Sequence, residues 1–149
     1  MDTDLELILQ RAAEQPDDVD ARIAAAYALD RAGREEEAVH HYDAAWALGI
    51  PEQRRRGFVV GYGSTLRNVG RLEESVAILG NASAADPSYP AFKAFLALSL
   101  FSSGERAAAL ATMLDALLDA AGGASLDGYE RALVEYQQEL LDEAVAGSR

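Results

Sequence analysis

Gly57-Phe58-Val59-Val60-Gly61-Tyr62-Gly63 is the stretch on which the fold class turns. Read locally, an apolar run bounded by glycines is a buried strand followed by a glycine turn, and it would make an α/β protein. The glycines do not build a phosphate loop. Neither G-x-x-x-x-G-K-[ST] nor G-x-G-x-x-G is completed, and no lysine stands nearby. Comparing the chain with itself gives the other reading. Small-residue turns fall at Gly33, Gly70 and Gly104, at intervals of 37 and 34 residues. Aligned on them, Ala25-Ala26, Tyr62-Gly63 and Leu96-Ala97 share a column, Leu29, Leu66 and Leu100 a second, and Ala38, Ser75 and Ala109 a third. Tyr42, Leu79 and Met113 then coincide, followed by Ala45, Ala82 and Ala116. Large and small residues alternate in the same order each time, as they do in a repeated helix pair. Its first helix carries a small residue where the second crosses closely, and a glycine in a left-handed turn separates the two. Gly63 then has a packing role, and the stretch reads as helix.

Working outward, apolar residues recur at helical spacing on both sides, as in Leu5, Ile8, Leu9 and Ala12 and again in Tyr129, Leu133, Tyr136 and Leu140. Further punctuation comes from Pro16-Asp17-Asp18, Gly49-Ile50-Pro51, Asp86-Pro87-Ser88 and Gly122-Gly123. The spacing allows about eight helices of about 11 to 18 residues. Thr3 with Glu6 and Asp127 with Glu130 have capping-box spacing, and Pro90 suits a first helical turn.

With these columns the chain resembles the tetratricopeptide repeat family, whose 34-residue unit has the same order of small and large positions and often a closing proline. Residues 56–89 match best, with Tyr62-Gly63, Leu66, Gly70, Ser75, Leu79, Ala82 and Asp86-Pro87 in place. The first unit departs at Arg22, where the family prefers a large aromatic, and has three extra residues after its Gly49-Ile50-Pro51 end. The third lacks the terminal proline. The resemblance implies an all-α, right-handed solenoid in a single domain. It would comprise an N-terminal capping helix (1–17), repeats over 18–52, 53–89 and 90–123, and a C-terminal capping helix (124–149). The terminal pieces of such an array need one polar face, which Glu130, Glu135, Glu139, Asp142 and Glu143 supply at the C-terminal end.

Composition narrows the functions. Against 13 Lys and Arg stand 25 Asp and Glu, a net charge of −12, which argues against nucleic-acid binding. Cysteine is absent, so disulfides, thiolate metal sites and cysteine nucleophiles are excluded. The two histidines, His40 and His41, are adjacent and point about 100° apart on a helix. That is a poor metal pair and a poor pool for a general base, with His41 expected half-buried and His40 in water. Glu35-Glu36-Glu37 lacks the calcium-loop pattern and suits the positive end of a helix dipole. These readings give no enzyme, metal or cofactor. Acids at positions 2, 4 and 6 interrupt any secretory core and no run is long enough to span a membrane, so the expectation is a cytoplasmic protein with no membrane partner. In such a chain Asn81-Ala82-Ser83 is a chance sequon.

The resemblance implies a non-catalytic adaptor or scaffold. Arg54-Arg55-Arg56 is the only basic run. Residues 1–50 carry a net −8, residues 51–100 a net +2 and residues 101–149 a net −6, which could steer an acidic or zwitterionic segment to the middle. In the resembled family the first helices line a concave groove. Carried over by register, the groove takes Tyr27 and Arg31 from the first unit, Ser64, Arg67 and Asn68 from the second, and Leu98 and Phe101 from the third. Ile23, Asp30, Val60 and Ala94 fall at groove positions too, and for Ile23, Val60, Ala94 and Leu98 packing between neighbouring first helices is at least as good an explanation. Ile23 and Tyr27 also replace the lysine and asparagine of the family's carboxylate clamps, so a clamp of that kind is not expected. The expected partner is another protein or peptide segment with an acidic or carboxylate group. The competing expectations are a self-assembling homo-oligomeric unit and a small regulatory α-protein with a ligand pocket between helices.

Overall fold

A computed structural model describes residues 2–122 and 125–147, and among these every regular element is helical. The helices fall into two compact units that meet in sequence at Gly70 and Arg71. The first contains α1 (Thr3–Glu14), α2 (Val19–Arg31), α3 (Glu35–Leu48), a 3-10 turn (Glu52–Arg54) and α4 (Arg55–Asn68). The second contains α5 (Leu72–Ala85), α6 (Ala91–Ser102), α7 (Arg106–Ala121) and α8 (Glu130–Gly147). The deciding stretch, 57–63, lies inside α4, so the repeat prevails over the local strand propensity.

The glycine turns work as the alignment requires. Gly33, Gly70 and Gly104 have φ of 72°, 84° and 88°, a conformation that favours glycine. At the end of α2 the Gly33 N–H donates to the Asp30 carbonyl and the Arg34 N–H to the Leu29 carbonyl. At the end of α6 the Gly104 N–H donates to Phe101 and the Glu105 N–H to Leu100. Both are Schellman closures, which satisfy the last carbonyls of a first helix while turning the chain toward its second.

In the first unit α1 packs on α2, α2 on α3, and α4 on both α2 and α3. Ala12, Ala21 and Ala25 are buried with Ile8 and Leu9 beside them, so small residues set the α1–α2 approach. The aligned small residues Ala26, Ala38 and Ala45 are all fully buried. Between α3 and α4 the core becomes aromatic. Phe58 meets Tyr42 edge-on at 5.4 Å and stacks on Trp46 at 6.2 Å, and Tyr62 stacks on Tyr42 at 5.5 Å. Gly61 permits this approach, since a Cβ there would come within 2.7 Å of the Tyr42 hydroxyl. Gly63, the glycine to which the alignment gave a packing role, is buried in the same helix.

In the second unit α5 packs on α6, α6 on α7, and α7 on α8. Ser75 and Ser99, both fully buried, share a hydrogen bond of 2.7 Å between α5 and α6. Lys93 on α6 reaches Asp115 at 2.8 Å and Asp119 at 2.5 Å on α7.

The capping assignments need correction. Thr3 is the first helical residue, not a cap, because Asp2 precedes α1 and accepts from the Asp4 N–H. Asp127 does not cap α8, which begins only at Glu130. Asp127 sits instead at φ 51° in the preceding turn. Pro90 occupies the N-cap of α6. Asp18 is a cap the spacing did not identify: it accepts from the Asp20 and Ala21 N–H groups and holds Arg11 at 3.1 Å. Its carboxyl is thereby held below the ordinary aspartate value.

Candidate functional site

Five of the seven predicted groove residues lie in the first unit, on α2 and α4. Tyr27 is half-buried, its ring 6.1 Å from that of Tyr42 and its hydroxyl over Gly57, where a Cβ would come within 3.9 Å. Burial pushes the Tyr27 phenol above its ordinary value against the pull of the Arg54 cation. Arg54 itself bridges to Asp20 at 2.5 Å, tying the start of α4 to the start of α2. Ile23 is fully buried, so it offers no surface to a partner. Ser64 and Arg67 are half-buried and Asn68 exposed, at helical spacing along α4.

Their hydrogen bonds separate them. The Asn68 amide donates to Glu35 at 2.9 Å, so it is already engaged at the start of α3. The Arg67 Nε–H is buried and has no acceptor among the described residues. A buried donor without a partner forfeits about 1–3 kcal/mol, so Arg67 retains unused hydrogen-bonding capacity. Arg31 is exposed and borders a cleft of about 370 Å³ with Asp2, Asp4, Leu5 and Ile8, between α1 and α2. The other two predicted residues belong to α6 in the second unit. Leu98 is exposed, and Phe101 is 60% exposed with the Arg106 guanidinium 5.9 Å from its ring centroid.

The sequence did not single out Asp30 as a junction. Register placed it in the groove, but its carboxylate turns to the neighbouring helices. It accepts from the Tyr42 hydroxyl at 2.6 Å and from Thr65 Oγ at 2.9 and 3.0 Å. Tyr62 likewise donates to Asp43. Burial, followed by the Asp30 hydrogen bond, raises the Tyr42 phenol far above its ordinary value, so it stays a donor. The basic run is largely consumed in the fold: Arg54 takes Asp20, and Arg55 lies 5.6 Å over the Trp46 ring. The repeat register gave no signal for this junction, because it aligns Asp30 with Arg67 and Phe101 and no local pattern connects it to Thr65, 35 residues away.

His41 is half-buried, and Arg22 approaches its Nδ1 at 3.3 Å while donating its Nε–H to the Pro16 carbonyl. Burial, then the Arg22 cation and the neighbouring His40, lower the His41 value below 6.5, while Glu37 pulls the other way. The sign follows. Above about pH 6.5 the imidazole is neutral folded or unfolded, and below it the unfolded chain takes up the proton first, so acid disfavours folding. Stability is expected to fall as pH drops through 6.5, and His41→Gln to flatten that part of the profile. Urea midpoints measured between pH 7.5 and 5.5 check it, and an unchanged slope in the variant would contradict it.

Among the described residues no group of three His, Cys, Asp or Glu is placed to hold a metal ion, and no helix is long and apolar enough to cross a membrane. The fold is that of a helix-turn-helix repeat protein. The tetratrico peptide repeat family model matches residues 19–140, and the chain belongs to that family. Searches of curated proteins and of solved structures found no match. Family membership makes the chain a protein-interaction repeat module.

Proposed function

We propose that the chain is a non-catalytic adaptor that holds an extended segment of a partner protein on the α2–α4 face, with Arg67 as the anchor for an acidic side chain or a terminal carboxylate. The observation that carries this reading is the buried, unpartnered Arg67 Nε–H. A carboxylate can take the Nε and Nη edge of a guanidinium in two parallel charge-assisted hydrogen bonds, so a small rotation of Arg67 toward a ligand recovers what the resting arrangement leaves unmade. Asn68 follows on the same turn, and Tyr27 offers a half-buried ring as an apolar neighbour.

Selection from a displayed peptide library is expected to enrich segments with an acidic residue or a free C-terminal carboxylate. For a selected peptide, Arg67→Ala should weaken binding by about 1–3 kcal/mol and leave the circular dichroism spectrum unchanged. Affinity should also fall with added salt, because a partly exposed ion pair is screened over about 8–10 Å. Unchanged affinity in Arg67→Ala combined with Asn68→Ala would mean that this face is ordinary protein surface.

A further inference from the structure

The second unit carries an apolar groove whose counterpart in the first unit is covered by a helix. The repeat register sets Leu110, Met113 and Leu117 of α7 against Val39, Tyr42 and Trp46 of α3, and Ala94 of α6 against Ile23 of α2. In the first unit α4 packs on both helices of the pair: Ile23, Val39 and Tyr42 are buried, and Phe58 of α4 stacks on Trp46. In the second unit the helix that follows the pair, α8, packs on α7 and, among the described residues, not on α6. Leu110, Met113 and Leu117 are left 53%, 37% and 45% exposed. They line a groove of about 440 Å³ with Pro90, Ala91 and Ala94. The matching surface takes a helix, so the vacancy has the width and periodicity of one.

Charge selects the occupant. Residues 71–149 hold five basic and twelve acidic side chains, a net −7. The basic groups with described partners are spent within the unit: Arg71 on Glu74, Lys93 on Asp115 and Asp119, Arg131 on Glu135, and Arg106 against the Phe101 ring. α8, which lies along α7, exposes Glu139, Asp142 and Glu143 with no Lys or Arg against them among the described residues. A second copy would bring the same negative charge to the contact, which like-charge repulsion disfavours, whereas a cationic partner gains from it.

We propose that the α6–α7 groove is a second docking surface, distinct from the α2–α4 face, and that it takes an amphipathic helix of another protein. That helix would have apolar residues at i, i+3, i+4 and i+7 entering between Ala94 and the Leu110–Met113–Leu117 row, with Lys or Arg beside the stripe to match the net negative charge of the unit. The test uses a fluorescent helical peptide of about 18 residues with leucines at that spacing and lysines elsewhere, titrated by anisotropy at physiological salt. A scrambled peptide of identical composition serves as comparator. The striped peptide is expected to bind at least about tenfold more tightly than the scrambled one, and Met113→Glu with Leu117→Glu to weaken it by about tenfold. These substitutions add negative charge, so attraction by charge alone would strengthen binding and only loss of the apolar seat weakens it. Both positions are exposed, and the scrambled peptide keeps the comparison decisive even if the double variant unfolds. Arg67→Ala should leave this binding unchanged, which separates it from the carboxylate site. Equal binding of the two peptides, or undiminished binding by the double variant, would overturn the proposal. So would light scattering that shows a dimer dissociated by Met113→Glu, since a second copy would then fill the groove.

Discussion

Replacing Tyr42 by alanine is expected to destabilise the first unit by about 3–5 kcal/mol, the range for deleting a buried ring that neighbouring groups cannot collapse to replace. Tyr42 is 1% exposed and touches Tyr27, Phe58 and Tyr62, with ring centroids 6.1, 5.4 and 5.5 Å away. It therefore joins α2, α3 and α4. Tyr42→Phe keeps the ring and removes only the hydroxyl bond to Asp30, and should cost about 1–3 kcal/mol. Trp46 is the sole tryptophan and stacks on Phe58, so urea unfolding followed by its fluorescence reports on this unit in particular. A loss below about 1 kcal/mol for Tyr42→Ala would show that the aromatic cluster is not the core of the unit.

Asp30→Ala is expected to cost about 2–4 kcal/mol, because two hydroxyls on different helices lose one shared acceptor. Thr65 and Tyr42 are both fully buried, and neither can turn its hydroxyl to water without opening the helix contacts. The cost is cooperative. In a double-mutant cycle with Tyr42→Phe, the combined loss should fall short of the sum by about 0.5–3 kcal/mol, since both substitutions remove the same bond. Asp30→Asn, which retains an acceptor oxygen, should be milder. Additive losses would mean that Asp30 and Tyr42 act independently.

These two residues show what the sequence discloses and what it withholds. The repeat is legible because its determinants are local: a turn at φ 72° to 88° favours glycine, and a close helix crossing needs Ala26, Ala38 or Ser75. The helical reading of residues 57–63 needed the whole chain, since the segment alone has the composition of a strand. The small columns at Ala97, Ala109 and Ala116 are buried in the second unit as well, but Met113 is not, although it aligns with Tyr42 and Leu79. Alignment gives the direction a side chain faces, and the next element decides whether anything covers it. α8 packs on α7, so that position stays open.

The candidate face was less legible for a related reason. Register proposes which residues share a face, here Tyr27, Ser64, Arg67 and Asn68, but not which of them are already bonded. Asn68 is held by Glu35, 33 positions earlier, and Asp30 by Tyr42 and Thr65. Arg67 differs from its neighbours only through the missing acceptor at its Nε, and nothing in the order of residues encodes that.

The central claim, a protein-binding adaptor anchored through Arg67, is tested most directly by affinity capture from an extract of the source organism. The unaltered chain and the Arg67→Ala variant would be immobilised side by side and the retained proteins identified by mass spectrometry. The account predicts a specific protein held by the unaltered chain, released by salt and depleted at least about tenfold by Arg67→Ala, while both forms give the same helical spectrum. Retention of the same proteins in equal amounts by both forms would contradict it.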